Sequence, residues 1–247
     1  MRLRKPANTL LKIKEMNRLT LIATFLVFAS AAFGQYDADT EPYDSLTAGQ
    51  RKEMALDAIH AIKNGVLILR LESNHRKIEE MERLAGRNDL NEEEQTKWQT
   101  RVAAVKEDTH RRNKWLVDAF AAKYDFSRLL IMYDTATQLL KQGVKSGYFL
   151  NKNLELDAAA SLGEAPFRLV RFGKASYERN SSANGLVLLD EEFRELQSPF
   201  PYFVSLNIFE KMRRQVNESK PAYFEVLVAK LVQRLNRFYG KVIAEGH

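Results

Sequence analysis

Ala55, Ile59, Ile62, Val66 and Leu69 recur at spacings of four, three, four and three, the apolar stripe of an amphipathic helix that packs against a partner. No proline falls between Ser45 and Ala85, so a single helix is expected over residues 45–85, its stripe carried to the end by Ile78, Met81 and Leu84. Gly65 interrupts it at a cost of about 1 kcal/mol relative to alanine, which a helix of this length absorbs. Gly86-Arg87-Asn88-Asp89 supplies a stop and a turn. Asn91 followed by Glu94 reads as a capping box, opening a second helix to about Tyr124 with Trp98, Val102, Val105, Leu116 and Phe120 on one side. A turn near residue 88 then folds the two into a long antiparallel hairpin, in which Ile62 faces Trp115 and Leu71 faces Lys106. At ~1.5 Å per residue each arm would span about 45 to 60 Å, so part of the hairpin would project.

Beyond Tyr124 the period changes from helical to extended. Phe126 to Tyr133 is an apolar run of strand length, Asp134-Thr135 suits the cap of a short helix over 136–142, and Gly143 ends it. Further strands are expected at Tyr148 to Leu150, Phe167 to Phe172 and Leu186 to Leu189. Two of these lead into matching turns, Phe149-Leu150-Asn151-Lys152-Asn153-Leu154 and Leu188-Leu189-Asp190-Glu191-Glu192-Phe193. Each has two apolar residues, Asn or Asp, two polar residues and an apolar one, and Asn or Asp tolerates turn geometry. Pro199 and Pro201 make a stiff extended link. Pro221 opens the last helix, which buries Phe224, Leu227, Val228, Leu231, Leu235 and Phe238. The expected fold class is α+β: a long N-terminal helical hairpin over 45–124, then a small domain over 125–247 with a four- or five-stranded sheet flanked by helices. Whether that sheet is thioredoxin-like is left open by the strand-turn-strand pattern of Leu186 to Leu196; without Cys the redox chemistry of that class is excluded.

The N-terminal segment changes how composition reads. Asn17-Arg18 precedes an apolar run from Leu19 to Phe33 that ends in small residues, the pattern of a secretory signal peptide over 1–35 with Met16 as its natural start. Residues 36–44 read as a polar linker. The run of 15 residues is shorter than the ~20 needed to span a bilayer, so no stable transmembrane segment is expected in the mature protein. The formal net charge is +6, but Arg2, Arg4, Lys5, Lys12, Lys14 and Arg18 against Glu15 place five of those charges in residues 1–35. The remainder carries about one, which is poor support for nucleic-acid binding. The absence of Cys rules out disulfides and lipid attachment at a cleavage-site Cys.

Candidate chemistry is sparse. His75 and His110 are out of register by ~12 Å along the hairpin, too far for a shared metal, and no metal ligand set or cofactor is expected. Leu130 to Thr137 places Asp134 at the end of an apolar strand, which resembles haloacid-dehalogenase-like phosphotransferases. The second acid of their Asp-x-Asp is Ala136 here, so the resemblance lacks its general acid, and capping is the simpler role for Asp134. Asp190 closes another strand; were the strands parallel neighbours, Asp134 and Asp190 would meet over a hard cation. Arg111, Arg112 and Lys114 form the most polar stretch of the second helix, and Phe200 and Tyr202 an aromatic group beside the prolines. Both are candidates for a partner surface, set against a solvated face and a core closing over the sheet.

Asn64 to Leu71, Ala119 to Phe126, Phe167 to Gly173 and Asn184 to Asp190 with Pro199 to Tyr202 together resemble uncharacterised exported proteins of Bacteroidota over most of residues 50–206. The resemblance implies export to the periplasm or beyond and brings no catalytic residue. Two functions are therefore expected in order: a non-enzymatic envelope protein that engages another envelope protein, and a divergent metal-dependent hydrolase or phosphotransferase using Asp134 and Asp190.

Overall fold

In the computed structural model, residues 46–176 and 183–246 are described; the expected signal segment and linker lie outside them. The first helix, α1 (Ala48–Asn64), starts with a capping box in which the Thr47 hydroxyl accepts from Gln50 N–H and the Gln50 side chain returns to the Thr47 backbone. It buries Ala55, Ala58, Ile59, Ala61 and Ile62. The helix expected to continue to Ala85 stops here. A Cβ on Gly65 would lie 2.0 Å from Pro166 O and 2.5 Å from Ala61 O, and Val66 N–H donates to Pro166 O at 2.9 Å. Gly65 is thus the point at which two backbones touch and the chain leaves the helix, not a tolerated defect inside one.

Residues Val66–Leu71 form β1, the central parallel strand of a five-stranded sheet. A second helix, α2 (His75–Ala85), follows, then α3 (Glu92–Lys123), whose Asn91/Glu94 capping box forms as expected. The long hairpin is corrected to a short one between α2 and the first half of α3: Lys106 meets Glu82 at 2.7 Å rather than Leu71, and Asn74 donates to Thr109 Oγ1 at 2.8 Å. After α3 come β2 (Arg128–Tyr133), a 3-10 turn over Asp134–Ala136, α4 (Thr137–Lys141) and β3 (Phe167–Gly173). Next are β4 (Gly185–Leu189), β5 (Phe203–Ser205), α5 (Ile208–Arg214) and the long α6 (Pro221–Ala244), with Pro at its start.

The sheet order is β2-β1-β3-β4-β5, with β1 parallel to β2 and β3 and the β3–β4 and β4–β5 pairs antiparallel. Side chains sort by the two-residue period of a strand. Leu67, Leu69, Leu71, Ile131, Val170, Leu186, Leu188 and Val204 share a core with α1, α3 and α6. Val66, Ile68, Leu130, Met132, Leu169 and Leu189 join Leu140, Tyr148, Phe149 and Leu162 in a second core on the other face. The expected strand at Tyr148 to Leu150 is reduced to isolated bridges, Met132 with Phe149 and Leu150 with Leu156. Residues 46–247 cluster as one compact unit, so the expected division at 124/125 runs through a shared core. The sheet's α6 side also guards its open edge: Arg234 donates to Phe203 O at 2.8 Å and Lys230 to Ser205 O at 2.9 Å, occupying carbonyls of the edge strand β5.

Candidate functional site

The two acids expected to share a site sit at opposite ends of the sheet. Asp134 follows Tyr133, which aligns with Leu71 at the end of β1. Asp190 follows Leu189, which aligns with Leu169, itself level with Ile68 near the start of β1. Strand geometry puts the two carboxylates about 20 Å apart, on strands that run in opposite directions. The metal site they were expected to frame is therefore not formed. Asp134 Oδ1 accepts Ser73 N–H at 3.0 Å and ties down the β1–α2 loop. Asp190 organises its own turn: Oδ1 accepts from Glu192 and Arg194 N–H at 3.0 and 2.8 Å, and Oδ2 takes Arg194 Nε at 2.7 Å.

The resemblance between the two turns is realised bond for bond. Asn151 Oδ1 accepts from Asn153 and Glu155 N–H at 2.8 and 3.1 Å, as Asp190 does from Glu192 and Arg194. Leu154 N–H donates to Asn151 O and Phe193 N–H to Asp190 O, and Leu154 and Phe193 both adopt a left-handed φ, 67° and 69°. The turn at Asp190 borders an open cleft of about 400 Å³ between it and α1, floored by Arg168. Arg168 is almost fully buried. Its guanidinium donates to Phe167 O at 2.7 Å, pairs with Asp57, and meets Glu191 at 2.5 Å. Burial pushes the Glu192 carboxyl above its ordinary range, with Asp190 and Glu191 alongside adding to the rise. The cationic floor is already matched by acids, so this cleft is built as an ion-pair network bracing α1 against the β4 turn.

The expected partner surfaces are also occupied locally. Arg111 pairs with Asp108 at 2.6 Å and sits over the Trp115 ring, Arg112 pairs with Asp108 at 3.2 Å, and Lys114 pairs with Asp118. This is a solvated helix face with charges paired along the helix. Phe200 is buried and meets Phe238 edge to face at 5.6 Å, and half-buried Tyr202 packs against the same core. Phe200 and Tyr202 contribute to the core that closes over the sheet.

The exposed surface that stands out is α5, whose residues were not singled out in the sequence. Ile208, Phe209 and Met212 are 67%, 79% and 70% exposed. At 3.6 residues per turn they lie on one arc of about 100°, and Arg213 extends it. Of its polar residues, Glu210 and Lys211 turn inward, while Arg213 and Arg214 are exposed. Glu210 accepts from Lys230 Nζ at 2.7 and 2.8 Å, and Lys211 approaches Glu218 at 3.5 Å. No residue of α5 itself is buried, so its apolar arc is turned away from the core that an ordinary surface helix would pack against. Three anchors hold it so. Asn207 and Glu210 form a capping box, and Leu206 and Val216 are buried in the main core on either side of the helix. Lys230 bridges Glu210 to the β5 edge. The Asn207/Glu210 spacing around the apolar pair Ile208-Phe209 was the signal available in the sequence, but burial direction cannot be read from spacing alone.

Among the described residues no helix is long and apolar enough to cross a membrane. No protein-family model, curated protein or solved structure matches the chain.

Proposed function

We propose that this is a non-enzymatic, exported protein of the cell envelope that works by contact, with α5 as its contacting element. The observation that carries the reading is the outward apolar face of Ile208, Phe209 and Met212 on a helix whose Glu210 and Lys211 are held inward by Lys230 and Glu218. An outward apolar face left in water forfeits burial worth roughly 1.5 to 3 kcal/mol per large side chain, a standing cost that a contact surface recovers on docking. Export is supported by the pattern of residues 16–35, a short basic start, an apolar run and small residues.

Fractionation of cells expressing the full chain tests this. The parent chain is expected to sediment with envelope membranes, and the Phe209→Ser/Met212→Ser double variant to shift to the soluble fraction. Both chains keep the same N-terminal run, so only α5 differs. An unchanged distribution of a folded double variant would sink the reading.

A further inference from the structure

Resting on that reading, we infer that α5 docks into a protein, in an apolar groove that carries a carboxylate on the rim facing Arg213.

The charge on the arc decides the occupant. Around the helix Ile208, Met212, Phe209 and Arg213 follow one another within about 140°, while Arg214 falls on the opposite side. Arg213 is exposed, and among the described residues no ion pair engages it. The two acids of residues 208–220 are engaged elsewhere: Glu210 is held by Lys230 at 2.7 Å, and Glu218 takes Lys211 at 3.5 Å and the Asn184 amide at 2.8 Å. Covering Phe209 brings the neighbouring guanidinium out of water, which is costly without an acceptor. A carboxylate meets its planar fork with two parallel hydrogen bonds. A second copy of this chain would bring another Arg213 and no acid on its own arc, because a two-fold interface pairs a patch with itself. A lipid surface is held by several cations around an apolar centre, and this arc has one.

Area and composition agree with a protein. Three side chains at these exposures present on the order of 400 Å² of apolar surface. A standard protein interface buries ~800 Å² on each side, of which roughly 57% is non-polar, or about 450 Å². The patch therefore matches the apolar share of one such contact. Phe, Met and Arg are residue types that such interfaces concentrate. Met212 lies three residues after Phe209 and four after Ile208, the spacings by which an apolar helix face fills a groove. The capping box and the Lys230 bridge fix that face before docking, which lowers the ordering cost of binding.

The chain contains no Cys, so a single thiol can report this site alone. Full-length Met212→Cys keeps Phe209 and Arg213, and its reaction with a maleimide is timed alone, with envelope membranes, and with protein-free vesicles of lipid extracted from those membranes. Lys152→Cys, on an exposed loop, serves as control, since the N-terminal run tethers every variant equally. Envelope membranes are expected to slow the reaction at 212 and not at 152, and lipid vesicles to leave both unchanged. Adding Arg213→Glu sets carboxylate against carboxylate, so the membrane concentration giving half protection should rise about thirty-fold. Arg214→Glu, on the far side of the helix, should leave it unchanged. Protection by the lipid vesicles overturns the protein partner and leaves the contact reading standing. Slowing without membranes that grows with protein concentration does the same, in favour of a second copy. Protection that survives Arg213→Glu, or that Arg214→Glu removes equally, overturns the carboxylate-rimmed groove. Undiminished reaction at 212 in the presence of envelope membranes overturns both.

Discussion

Gly65 is needed where the end of α1 and the start of β3 come into backbone contact. With Pro166 O 2.0 Å from where a Cβ would stand, the Val66–Pro166 hydrogen bond cannot form around a side chain without moving one backbone. Gly65→Ala is expected to cost about 3 kcal/mol or more, read as a lower denaturant midpoint with an unchanged slope. The paired turns offer a controlled comparison at the same scale, because their hydrogen bonds are alike while their surroundings differ. Asp190 is buried and holds two backbone N–H groups and Arg194, whereas the Asn151 network is exposed. Removing the acceptor strands partly buried donors in one turn and hydrates exposed ones in the other. Asp190→Ala should therefore cost about 3 kcal/mol and Asn151→Ala about 1 kcal/mol by equilibrium unfolding. A neutral or stabilising Asp190→Ala would mean that this carboxylate is strained for some purpose other than its turn.

Elements were legible where period, caps and length agreed. The Asn91/Glu94 box set the start of α3, Pro221 that of α6, and short apolar runs set off by turn residues gave β2, β3 and β4. The strand β1 was hidden because Val66-Leu67-Ile68-Leu69-Arg70-Leu71 is buried on both faces, as a central parallel strand must be. A run with almost no polar positions satisfies a helical period as readily as an extended one, and Val66 and Leu69 fell by chance on the stripe of α1. For α5 the composition was visible but its direction was not, since that direction is set by Leu206, Val216 and Lys230 from outside the helix. Lys230→Met would leave the Glu210 carboxylate and Ser205 O without their donor, at about 2 kcal/mol, with faster amide exchange across 208–216. The Glu210 carboxyl is held below its ordinary range, chiefly by the hydrogen bond from Lys230 and then by the Asn207 backbone. An acid lowered in the folded state contributes fully above the ordinary carboxylate value and loses that contribution as pH falls below it. Exchange across α5, corrected for intrinsic rates, should thus accelerate below about pH 4 in the parent chain. In Lys230→Met it should already be fast at neutral pH.

At the scale of the whole molecule, a sheet with a core on each face braces three helices on one side and a largely irregular cover on the other. The buried polar residues are spent within it: Asn113 donates to Glu72 O, Thr109 accepts from Asn74, and Glu195 holds Arg171 and Ser176. Against that background α5 presents its apolar side to the outside by construction, anchored at both ends and along its polar face. The central claim is that this face is open in the isolated protein and covered in the envelope. Thiol reactivity of single-cysteine chains measures both states directly. Phe209→Cys and Met212→Cys are predicted to react rapidly with a maleimide in the purified full-length protein, far faster than Leu206→Cys, and to slow sharply when envelope membranes are added, while Lys152→Cys stays unchanged. Slow reaction at 209 and 212 in the isolated protein, or rates there that envelope membranes leave unaltered, would contradict the account.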